Sequence, residues 1–129
     1  MTRRAWLATL AAVLAGRSVS GHHSFAAEFD GAKPRVLIGT VVQFDWVNPH
    51  SCLWIDVADA QGGVERWALE LPPPNSLRRR GLRPGDVTPG LRVTVKAFVA
   101  KDGRKLASTQ WLEWSGGRRI VTGTPGVER

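Results

Sequence analysis

The stretch SCLWIDVADAQGGVERWALEL, residues 51–71, constrains the fold more than any other part of the chain. On its first limb Leu53, Ile55 and Val57 alternate with Cys52, Trp54 and Asp56; on its second, Trp67, Leu69 and Leu71 alternate with Arg66, Ala68 and Glu70. Successive side chains of a strand point to opposite faces, so each limb reads as a strand with one apolar and one mixed face. The intervening AQGG carries the glycines that a tight reversal needs, which makes the stretch a hairpin.

The flanks continue the β pattern. RVLIGTVVQFDW, residues 35–46, is rich in β-branched side chains and holds Gly39 at its middle, which predicts a long strand that bends or bulges at the glycine. VNPH, residues 47–50, turns the chain, because the residue before a proline is pushed out of the helical region. PPPNSLRRRGL, residues 72–82, breaks the pattern: Asn75 or Ser76 can cap a short helical turn that ends at Gly81. After the turns of RPGDVTPG, the strand LRVTVKAFV turns Leu91, Val93, Val95 and Ala97 to one face. KDGR then leads into KLASTQWLEW, and SGGRRIVTG returns as a sixth short strand. A three-strand meander, a short helix and two further strands follow the order of the five-stranded oligonucleotide/oligosaccharide-binding (OB) barrel. The expected fold is all-β, an OB-like barrel of five to six strands with a short helix or loop between strands 3 and 4. The alternative is a six-stranded sandwich or open barrel, with the triple proline opening an irregular loop.

Before the barrel the chain reads differently. Arg3 and Arg4 precede an apolar run from Trp6 to Ala15, and small or polar residues follow through Ser20, the three-part plan of a secretory signal. The run is shorter than the ~20 apolar residues of a membrane-spanning helix. Cleavage after Ser20 or after Gly21 satisfies the preference for small residues, and TRRAWL is only a loose match to the twin-arginine signal, so the general secretory route is favoured. The chain thus divides into a signal peptide at 1–20, an extended arm at 21–34, the barrel at 35–123 and a tail at 124–129. The expected location is periplasmic, with no transmembrane segment after processing.

About 108 residues then remain, enough for one small domain. The net charge of +7 falls to +4 when Arg3, Arg4 and Arg17 leave, and its one dense cluster is LRRRGLR, with Arg78, Arg79, Arg80 and Arg83. Export argues against nucleic acid as a ligand and leaves acidic lipid headgroups or an acidic partner as what such a cluster can meet. The single cysteine, Cys52, cannot form an internal disulfide and reads as a small, half-buried side chain.

His22, His23 and His50 are the chain's only histidines. Imidazole suits copper, zinc and nickel, and a new N-terminal amine, with its pKa of ~7.7–8, adds a further nitrogen. With Gly21 first, the amine, two backbone amides and His23 form a square-planar nitrogen set suited to Cu(II). With His22 first, its amine and ring chelate together and His50 closes a T-shaped brace. These residues are therefore the expected metal site, copper(II) ahead of zinc or nickel; the plain alternative is a pair of histidines that only solvate an arm. Trp67 reads as core, whereas Trp54, Arg66 and Glu70 lie on the face of strands 2 and 3 on which such barrels bind ligands. That face is the expected contact if the protein is an accessory module for an exported enzyme or envelope complex. The chain has no paired-carboxylate motif, nucleophile elbow, phosphate-binding glycine loop or Cys-x-x-Cys, and is read as non-catalytic.

HHSFAAEFD, KPRVLIGTVVQFDWVNPH, WALELPPPNSLRRRGL and PGDVTPGLRVTVKAF together resemble a family of small exported proteobacterial proteins of unknown function. The resemblance runs from about His22 to Arg119, and its most specific part is the pairing of HHSF with NPH. It implies export and a compact β domain and supplies no reaction. Its members carry aromatic residues where this chain has Cys52 and Trp54, so Cys52 departs from the pattern.

Overall fold

Alternating apolar positions can all be buried only if the strands curl around a shared interior, and the computed structural model, which describes residues 24–123, shows this arrangement. A helical turn α1 (Ser24–Glu28) leads into β1 (Phe29–Asp45), β2 (Ser51–Ala58) and β3 (Val64–Leu71). Then follow helix α2 (Pro74–Arg79), β4 (Arg92–Ala100), β5 (Leu106–Trp114) and β6 (Arg118–Val121). The strand order is β3-β2-β1-β4-β5-β6, and a parallel pairing of β3 with β5 closes five strands into a ring, with β6 alongside β5. The closing pair and the helix between β3 and β4 make this a barrel of the OB strand order instead of a sandwich.

The inward phase follows the alternation. Leu53, Ile55, Leu69, Val95 and Leu112 are fully buried, and Trp67 is part of the same core. Each such side chain contributes about 1.5–3 kcal/mol by leaving water. β1 serves two neighbours: Pro34 to Thr40 pair with β4, and Thr40 to Asp45 pair with β2. The switch depends on Gly39, where a Cβ atom would stand 2.6 Å from the carbonyl oxygen of Asp56 on β2. The bulge expected there lies a little further on, at Val42, between the pairs Val41–Ile55 and Gln43–Trp54. Gly39 permits a close approach of two backbones, and the extra residue that coils the strand is a separate feature.

From Ser24 onward, the segment read as an extended arm is a helical turn and the first part of β1. Phe25 packs against Phe29 and Phe98, with ring centroids 5.5 and 5.9 Å apart. Phe29, Phe98 and Ala100 form a small second core. Two phenylalanines that a solvated arm would leave in water instead cover the end of β4, which is why the chain folds back here. His22, His23, the leader and residues 124–129 lie outside the described residues.

Helix α2 begins differently from expectation. Neither Asn75 nor Ser76 caps it; Pro73, in an extended conformation, precedes Pro74 at the first helical position, where a missing N–H costs nothing. Its end is as expected: Gly81 has φ +93°, and the Gly81 and Leu82 N–H groups donate to the carbonyls of Arg78 and Leu77, each at 3.0 Å. Leu77, Leu82 and Val87 are buried with the barrel core, so this segment plugs the interior. Among the described residues no helix is long and apolar enough to cross a membrane.

Candidate functional site

The outward phase of β1, β2 and β3 is set by the same alternation that fills the core. Register then aligns Asp45 with Cys52, Cys52 with Glu70, and Glu70 with Ser108 in one row across four strands. The next row holds Gln43, Trp54 and Ala68, and Asp56 faces Arg66 further along.

Most polar groups of this face are tied to one another. The indole N–H of Trp54 donates to Asp45 Oδ2 at 3.1 Å, and Gln43 Nε2 donates to Asp45 Oδ1 at 2.6 Å. Arg66 grips Asp56 with two hydrogen bonds of 2.9 and 3.1 Å, and that bonding holds the Asp56 carboxyl below the usual carboxylate range. Cys52 sits between two carboxylates. Burial first, then the charge of Asp45 and, to a smaller degree, Glu70, push its thiol up to about 11, against a lowering backbone hydrogen bond at Leu69. It is therefore a protonated thiol at neutral pH, as the plain reading of a small half-buried side chain expects.

His50 stands at the start of this row, 58 % exposed, with Nδ1 3.4 Å from Glu70 Oε1. At that separation the two groups are near neighbours without a hydrogen bond, and the imidazole makes no hydrogen bond among the described residues, so its ring nitrogens stay open to a ligand. Glu70 is held above the usual carboxylate range by burial; the charge of His50 acts against this and the charge of Glu28, on α1, adds to it. Register sets Phe98, on which Phe25 of α1 packs, opposite Ser108, and Ser108 opposite Glu70, so α1 docks two strands from the His50 pair.

Of the expected metal ligands, His50 alone is among the described residues. No group of three or more histidine, cysteine or carboxylate side chains that could hold a metal ion is present among those residues. Trp54, Arg66 and Glu70 do share one face, but each has its own partner: Asp45, Asp56 and His50 respectively. Two residues of the site escaped the sequence reading, Asp45 and Glu28. Asp45 ends a strand in an outward position and was legible as such; Glu28 was not, because nothing local announces that α1 docks.

The chain belongs to the family of unknown function DUF6152, whose profile matches residues 10–109. No curated protein matches it.

Proposed function

We propose that this protein is exported and binds a divalent transition metal without catalysis, copper(II) ahead of zinc or nickel, through His22, His23 and His50. The observation that carries the reading is the exposed His50 imidazole beside Glu70, free of hydrogen bonds among the described residues and on the side of the barrel where α1 docks. Helix α1 begins one residue after His23, and its five residues span only about 7.5 Å. The packing of Phe25 on Phe98 anchors that stretch against the barrel, which supports an approach of the N-terminal pair to His50. The mixed nitrogen donors suit copper better than a hard cation.

Titration of correctly processed protein with Cu(II) tests this. His50→Ala is expected to weaken binding by about tenfold or more, the loss of roughly 1.4 kcal/mol or more. Affinity unchanged by that substitution, and equalled by a free peptide of residues 21–34, rules out a site that uses the barrel. The second reading, an accessory module that docks another exported protein through Trp54, Arg66 and Glu70, draws support from the position of that face on an OB-type barrel.

A further inference from the structure

One end of the barrel gathers arginines that are far apart in sequence. Arg78, Arg79 and Arg80 lie on and just past α2, Arg83 follows, and Arg118 and Arg119 open β6; all six are exposed. Two contacts join the groups. Arg80 Nη1 donates to the Val121 carbonyl at 2.8 Å, and Arg118 lies 3.9 Å from Asp86, which also accepts the Arg83 backbone N–H at 2.8 Å.

The charge imbalance is confined to this face. Residues 24–123 carry fourteen basic and ten acidic side chains. Six of the basic ones are here, accompanied by Asp86 and by Glu113, the partner of Arg119. The remaining eight of each sign cancel, so the whole excess of four positive charges sits at one end. Two aliphatic side chains are exposed at or next to residues that these arginines contact. Val121, whose carbonyl Arg80 holds, is 54 % exposed, and Val47, next to the Trp46 ring over which Arg78 stacks at 5.8 Å, is 51 % exposed.

We propose that this arginine face docks the protein on an anionic lipid bilayer, with the guanidinium groups on headgroup phosphates and Val47 and Val121 in the interfacial layer. Charge alone suits any polyanion, but valines exposed at or next to the residues that arginines contact suit a surface that is anionic above and apolar beneath. The inference is independent of the histidines.

The test is co-sedimentation of the processed, full-length protein with vesicles of phosphatidylglycerol and phosphatidylcholine, or of phosphatidylcholine alone. Arg79 and Arg83 make no side-chain hydrogen bond or ion pair among the described residues, so the double variant R79E/R83E leaves the fold's own contacts in place. Loss of the two positive charges, at about 1 kcal/mol per arginine, is expected to lower binding to the anionic vesicles roughly thirtyfold, the reversed charge to lower it further, and high salt to abolish it. The variant K33E/K105E makes the same change of net charge at exposed positions away from α2 and β6 and is expected to keep most of the binding. Val47→Ser with Val121→Ser is expected to weaken binding to vesicles and to leave retention on a single-stranded oligonucleotide unchanged; glycerol phosphate at matched phosphate concentration should not displace the vesicles. Equal binding to neutral vesicles, equal loss in both charge-reversal variants, indifference to the valine substitutions, or displacement by glycerol phosphate each overturns the proposal.

Discussion

Replacing Gly39 with alanine adds one methyl group at a position whose backbone lies outside the left-handed region, so no strain in φ is involved. At an open site of that kind the change stabilises a protein by about 0.4–1 kcal/mol, because the unfolded chain loses freedom. Here the methyl would stand 2.6 Å from the Asp56 carbonyl oxygen, 3.1 Å from Val57 Cγ2 and 3.2 Å from the Asp56 carbonyl carbon. Two of these are backbone atoms of β2 and cannot swing aside as a side-chain tip would. Forcing such neighbours apart costs about 1–3 kcal/mol. After the entropy gain is subtracted, the mid-range values leave Gly39→Ala destabilised by about 1.3 kcal/mol, with an upper limit of about 2.6 kcal/mol. Gly85 supplies the control: its backbone is also ordinary and nothing lies within 4 Å of an added Cβ. Gly85→Ala should therefore be stabilising, by about 0.4–1 kcal/mol. Urea unfolding followed by tryptophan fluorescence measures both, with the denaturant slope required to stay constant. Should Gly39→Ala prove as stable as the natural protein, the close approach of β1 to β2 is not what requires a glycine there, and the account of how β1 passes from β4 to β2 fails.

Leu77→Ala removes a fully buried side chain from the segment that plugs the barrel and should cost about 2–5 kcal/mol in the same urea assay; a cost below that range would mean the plug collapses onto the gap. Glu70→Gln takes the charge from the group facing His50 Nδ1 and should lower Cu(II) affinity about 10–100-fold, with the ring tautomer read by nitrogen NMR; an unchanged tautomer removes Glu70 from any orienting role. Cys52 titrates at about 11 in the folded protein against 9.0 for a free thiol, so above pH 9 the unfolded chain releases a proton that the folded one keeps. Stability should therefore fall as pH rises from about 9 to about 11, and Cys52→Ser should flatten that part of the profile; an identical slope in the variant refutes the assignment.

The inward residues were legible because period two is a property of a single strand. Leu53, Ile55, Trp67, Leu69 and Leu71 follow from the alternation of residues 51–71, and Gly81 marks a helix end by its own conformational freedom. A cap is expected at Asn75 or Ser76 because both are good capping residues, whereas the second proline of the three occupies the residue before the helix and the third its first position. The docking of Phe25 and Phe29 is not legible, because its partner Phe98 lies about seventy residues away and stands on the outward phase of β4, opposite to Ala97, where alternation alone leaves it in water. The candidate site divides along the same line. Which side chains of β1, β2 and β3 face outward belongs to the sequence; that Asp45, Cys52 and Glu70 form a row, and that the arginines of α2 meet those of β6, was decided by register, a bulge and the closure of β3 on β5. Those are relations between two strands at once, and no periodicity within one strand encodes them.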